Sequence, residues 1–120
     1  MNWIAITEEQ QIEQIKEQSK QQPVVILKHS TRCSISSMAK SRLEREMQPA
    51  HALFYFLDLI RYRAISGKIA EDFRVRHQSP QVLIIKNGEC IYEDSHNGIN
   101  MDDIVEQVGT LPAGRQVGNL

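Results

Sequence analysis

The stretch Val24-Val25-Ile26-Leu27-Lys28-His29-Ser30-Thr31-Arg32-Cys33-Ser34-Ile35-Ser36 changes its pattern half-way along. Pro23 leads into four apolar residues, three of them β-branched, the mark of a strand covered on both faces as in parallel sheets. From Ser34 the period becomes helical: Ile35, Met38, Ala39, Arg42, Leu43 and Met47 fall on one face, and Pro49 stops the run. Cys33 therefore sits where a buried strand turns into a helix, and in open α/β sheets that is the end at which sites form.

Working outward, Ala52 to Leu59, with Phe54, Tyr55, Phe56 and Leu57, reads as a second buried strand. Tyr62, Ile65, Ile69 and Phe73 then space a third amphipathic helix. Val82 to Ile85 and Cys90-Ile91-Tyr92 flank Asn87-Gly88, a strong hairpin signal. Met101, Ile104, Val105 and Val108 give a last helical face after a loop with Gly98. Towards the start, Trp3 to Ile6 is a short strand. Thr7-x-x-Gln10 has capping-box spacing, opening a surface helix that runs to about Gln18, with Ile12 and Ile15 facing in. The order β-α-β-α-β-α-β-β-α resembles the thioredoxin arrangement: an α/β fold with a central mixed sheet of four to five strands flanked by helices. Residues 1–109 form this one domain, and 110–120, with Pro112, Gly114 and Gly118, lack periodicity and read as a loose tail.

Composition narrows the function. Fourteen Lys and Arg against fifteen Asp and Glu leave a net charge of -1, with no basic stripe for nucleic acid. The start lacks an arginine-rich leader, and no apolar run approaches the about 18 residues of a membrane helix. The expectation is a cytoplasmic protein, monomer or weak dimer, in a compartment that keeps thiols reduced. Two cysteines, Cys33 and Cys90, without CxxC or a Cys/His cluster, exclude a zinc finger and a disulfide scaffold. Glycosidase, metalloenzyme and phosphate-loop spacings are missing too, so no bound cofactor or metal is expected.

Cys33 carries the chemistry. A thiol is nucleophilic as thiolate, and free N–H groups at a helix start favour negative charge. Arg32, with Lys28 and His29 nearby, adds positive potential, and the Ser36 hydroxyl is placed within reach of the sulfur. The competing reading is a small buried hydrophobe. In Cys33-Ser34-Ile35-Ser36 a serine stands where a CxxC site has its second thiol, so the expected cycle is monothiol: Cys33 attacks a mixed disulfide and awaits an outside thiol. Ser79-Pro80 precedes the third long strand, where the thioredoxin arrangement places a cis proline beside the cysteine. The Ser79 backbone would pair there with a substrate segment. Ser34, His77, Ser79 and Pro80 are expected on the substrate side. His29 lacks an evident orienting Asn or Asp and is set aside as a catalytic base, and His51 and His96 read as loop residues. Cys90 lies beyond the far hairpin turn, out of bridging range of Cys33, and is assigned to structure.

The blocks Lys28 to Ser36, His77-Gln78-Ser79-Pro80-Gln81, Asn87-Gly88-Glu89 and Gly98-Ile99-Asn100 together resemble the monothiol bacilliredoxins of the YtxJ type, over roughly Trp3 to Val108. The resemblance implies a thioredoxin fold, a link to stress responses and removal of bacillithiol, or another low-molecular-weight thiol, from S-thiolated proteins. Cys33 would then be the catalytic cysteine and Ser36 would stand at the missing resolving position. Ser34 departs from that family's usual proline after the cysteine, and proline there would pre-set φ. Two other readings use the same residues: an iron-sulfur carrier like the monothiol glutaredoxins, whose C-G-F-S this chain does not share, and a non-catalytic thioredoxin-fold binding module.

Overall fold

Val24–His29 (β2) is buried along its whole length, as an apolar run flanked on both sides by strands should be. It pairs in parallel with β3 (Leu53–Asp58) and antiparallel with β4 (Gln81–Lys86). The strand outlasts its apolar run by two residues, because pairing continues through Lys28↔Leu57 and His29↔Asp58. β1 (Trp3–Ala5) lies parallel on the far side of β3, and β5 (Glu89–Ser95) runs antiparallel along β4. The mixed five-stranded sheet has the order β1-β3-β2-β4-β5. The coordinates are a computed structural model that describes residues 1–109, so the tail expected over 110–120 lies outside the described residues.

Alternation along β2 divides the core into two layers. Val24 and Ile26 face Ile12 and Ile15 of α1 (Gln10–Gln18) and Ile65, Ile69 and Phe73 of α3 (Arg63–Phe73). Val25 and Leu27 face Ala39 and Leu43 of α2 (Ser34–Glu44) and Met101, Ile104 and Val108 of α4 (Met101–Val108). Each large apolar side chain so buried contributes roughly 1.5–3 kcal/mol, before the entropy cost of ordering it. By the same alternation Lys28 belongs to the α1/α3 layer and His29 to the α2/α4 layer.

The β4–β5 hairpin turns on Asn87 and Gly88, both at positive φ (51° and 78°), the requirement of a type I′ turn. Ser19 clamps this turn to the end of α1: its carbonyl accepts from Asn87 N and its Oγ from Gly88 N, at 2.9 and 2.7 Å. Among the described residues no helix is long and apolar enough to cross a membrane.

Two sequence expectations shift. The capping box is not Thr7 with Gln10: α1 starts at Gln10, and Gln11 Oε1 accepts from the backbone N–H groups of Thr7 and Glu8 at 2.7 and 2.9 Å. The polar cap forms one residue later because Ile12, not Gln11, must face the core. The expected face of α2 is also rotated. Met38 is 62% and Met47 90% exposed, Ile35 is exposed, and the helix ends at Glu44. The inward face is Ser36, Ala39 and Leu43. A serine takes the inner position because its hydroxyl has partners there, as the site shows.

Candidate functional site

Cys33 is the residue before the first turn of α2, in extended conformation (φ -112°, ψ 121°), and is only partly buried. Its N–H donates to the Ser30 carbonyl at 3.2 Å, closing a tight turn over exposed Thr31 and Arg32. Its carbonyl accepts from Ser37 N at 3.0 Å and so starts the helix. Cys33 is thereby the residue that caps α2, ahead of backbone N–H groups that have no helical partner; its side chain makes no capping hydrogen bond, and the first turn has no acidic residue. Ser34 next to it is exposed.

Ser36, one turn into the helix, is fully buried. Its Oγ accepts from Ser30 N at 2.9 Å and lies 2.7 Å from His29 Nδ1. The hydroxyl expected to serve the sulfur is thus held between the end of β2 and the active-site turn, and joins the two. Burial, with Lys40 adding to it, pushes the His29 imidazole below its ordinary value, so the ring is neutral near pH 7. His29, set aside on sequence as lacking an orienting partner, has one in Ser36.

On the opposite face Lys28 is completely buried, its Nζ donating to the Ser66 carbonyl at 3.2 Å and lying 3.3 Å from His77 Nδ1. Ser66 Oγ is also 3.3 Å from that nitrogen. Burial pulls the Lys28 ammonium down to about 8. His77 is lowered by burial and then by the positive charges of Lys28 and Arg63. Lys28, expected near the thiol, thus turns towards α3. Strand alternation carries the signal for this, since residues 28 and 29 of one strand cannot face the same side.

The Ser79–Pro80 peptide bond is cis, as the arrangement of elements predicts. Gln81, fully buried at the start of β4, ties the preceding loop down. Its Nε2 donates to Arg76 O and Glu93 Oε1, both at 2.9 Å, and its Oε1 accepts from Gln78 N. Register Lys28↔Gln81 brings the His77-to-Pro80 loop to the same end of the sheet as Cys33. Ser79 Oγ is enclosed there without a hydrogen-bond partner among the described residues. Cys90 pairs with Ile85, which pairs with Val24, at the other end of β2. Five residues of strand, about 16 Å, separate that end from His29. The Cys90 thiol donates to Tyr92 O at 3.3 Å and is raised by burial. Both cysteines are free. His96 is the exposed first residue of the 3-10 turn His96–Gly98, and His51 is partly buried in the turn before β3.

The family model of monothiol bacilliredoxin BrxC matches residues 4–104. A solved structure described as a candidate oxidoreductase with a thioredoxin fold is similar at 31% identity and a TM-score of 0.76, over 86% of this chain and 90% of that one. The thioredoxin Mala s 13 of Malassezia sympodialis shares the fold at 20% identity and a TM-score of 0.70, over 89% and 90% of the two chains. Fasciola hepatica thioredoxin does so at 14% identity and 0.67, over 88% and 98%.

Proposed function

Because the chain belongs to the monothiol bacilliredoxin family and is a thiol oxidoreductase of the thioredoxin fold, we propose that it removes a low-molecular-weight thiol, bacillithiol being the family's, from protein mixed disulfides. The Cys33 thiolate attacks the sulfur of the small thiol. A Cys33–small-thiol disulfide forms, the protein–small-thiol bond breaks, and the target leaves as a thiolate that takes a proton from water. A second small thiol, as thiolate, then attacks the adduct at its small-thiol sulfur. The products are the symmetric small-molecule disulfide and regenerated Cys33, so one disulfide is conserved at each step. The partners are S-thiolated proteins and the free thiol, and the reaction belongs in a reducing compartment such as the cytoplasm. Exposed Ser34 and the His77-to-Pro80 loop are the surfaces offered to the mixed disulfide.

The observation that carries this reading is the pair of positions at the start of α2. Cys33 stands partly exposed before the first turn, while Ser36, buried and held by His29 and Ser30, supplies no second thiol. The test is release of the small thiol from a modified protein, followed by mass spectrometry. Cys33→Ser is expected to abolish release, and Cys90→Ser to retain it within about twofold, since Cys90 lies at the far end of β2. Release that survives both substitutions would overturn the mechanism.

A further inference from the structure

The outward side of α2 is not used by the reaction above. Ser36, Ala39 and Leu43 turn inward, which leaves Ile35, Met38, Arg42 and Arg45, spaced i, i+3, i+7 and i+10, on a second stripe of the same helix. Its two ends differ. Near Cys33, Ile35 and Met38 leave apolar surface in water, where a surface helix ordinarily carries polar groups. Further along come the two arginines, and neither joins an ion pair among the described residues. Arg42 Nη2 donates to the Ile99 carbonyl at 2.8 Å, which holds the guanidinium in place and leaves its charge unmatched. Glu44 is taken up on the other flank of α2 by Lys40 and by Trp3. Ser37, Met38, Ser41, Arg42 and Arg45 line a depression of about 410 Å³ without a carboxylate. Glu46 and Asp102 enter only the neighbouring hollow, which shares Arg42 and Arg45.

An apolar patch continued by a basic one matches a polypeptide segment with an apolar side chain followed by carboxylates. At 1.5 Å per residue, Met38 stands about 6 Å and the arginines about 12 and 17 Å along α2 from Ser34, next to the thiol. In extended chain these are spans of about two and about four to five residues. We propose that this face of α2 docks the protein half of the mixed disulfide. The preferred targets then carry an apolar residue about two positions from the modified cysteine and acidic residues about four to five positions from it, on the same side. This inference rests on the reading that Cys33 acts on protein mixed disulfides, and it adds which proteins are preferred.

Peptides with one cysteine, each joined by a disulfide to bacillithiol, test it. One has leucine two residues and glutamates four and five residues after the cysteine, and a second has the mirrored order. A third replaces the glutamates by glutamine, and a fourth keeps them but moves them twelve residues away. The better of the first two should be released with a kcat/KM roughly threefold to tenfold above the glutamine peptide, the effect of one or two exposed ion pairs. Added salt should shrink that ratio. Arg45→Gln should cut it at least twofold. Lys20→Gln, the same loss of charge at the hairpin-turn end of the sheet, should leave it unchanged. Equal rates for the first three peptides, an equal gain from the distant glutamates, or equal effects of the two substitutions would overturn the proposal. Docking is read apart from the reaction by NMR of the Met38 methyl in the Cys33→Ser protein, with peptides carrying serine for cysteine. A shift by the glutamate peptide at concentrations where the glutamine peptide is silent supports the surface even if no release is found. Silence of both alongside normal release removes the surface and leaves the Cys33 reaction standing. Sedimentation as a dimer that Arg45→Glu dissociates would give this face to a second copy of the chain and sink the proposal.

Discussion

Lys28 and His29 are neighbours on β2, and each anchors a polar cluster on its own face of the sheet. On the α2 face, His29 Nδ1, Ser36 Oγ and Ser30 N–H match one another as donors and acceptors, with no net charge. On the α3 face, Lys28 brings a positive charge to Ser66 and His77, which do not neutralise it. His29, Ser30 and Ser36 on one face and Lys28 and Ser66 on the other are removed from water, while His77 is exposed, and the first cluster is complete within the fold while the second is not. The first fixes the turn that carries Cys33. The second borders an open cavity lined by Arg63, Gly67 and His77.

The largest expected effect tests the incomplete side. In the unfolded chain the Lys28 ammonium titrates near 10.5, in the folded protein near 8. Between those values the unfolded state binds more protons, so this residue's destabilisation is full below pH 8 and fades as pH rises to 10.5. At about 1.4 kcal/mol per unit the effect is on the order of 3 kcal/mol. Lys28→Met should therefore be the more stable protein at pH 7 in urea denaturation, by 1–3 kcal/mol once about one lost hydrogen bond is allowed for. Its advantage should shrink steadily from pH 8 to 10.5. A difference independent of pH would mean that Lys28 is matched within the fold after all, and the contrast with His29 would fall.

Next in size is the complete side. Ser36→Ala leaves Ser30 N–H and His29 Nδ1 buried without their partner, which costs about 1–3 kcal/mol. Here the penalty should be flat between pH 7 and 10, because neither group changes charge in that range. A penalty that varies with pH across that range would join the two clusters into one titrating system.

How far this contrast is legible in the chain depends on the kind of signal. Val24 to Leu27 and the helical spacing after Ser34 place β2, α2 and Cys33, because burial imposes period on apolar residues. Asn87-Gly88 places the hairpin because both residues must take positive φ. Ser36 misleads. Read as hydroxyl support for the thiolate, it packs inward instead, and the helix turns Met38 and Met47 to solvent to allow it. Lys28 and His29 misread as a common positive patch for the same reason: polar residues carry no hydrophobic period, so their direction follows from strand register alone. The pocket formed by Arg63, Gly67 and His77 joins a helix to the loop that follows it, and no hydrophobic period encodes it.

The smallest expected effect separates the two imidazoles. Both rings are lowered, His29 first by burial and then by Lys40, His77 first by burial and then by Lys28 and Arg63. For each, the unfolded state takes up a proton at about 6.5 while the folded state still refuses it. Stability is therefore lost as pH falls below 6.5 towards the folded value, and no further below that. The two contributions part company when Lys28 is replaced. Loss of its charge relieves the repulsion on His77 and raises that ring's pKa. His29, on the other face of the sheet and closed by Ser36, does not face Lys28. In an NMR titration, Lys28→Met should move the His77 midpoint up and leave His29 where it was. Equal movement of both rings would show a diffuse effect of the lost charge, whereas movement of His77 alone ties the titration to the side of the sheet on which Lys28 lies.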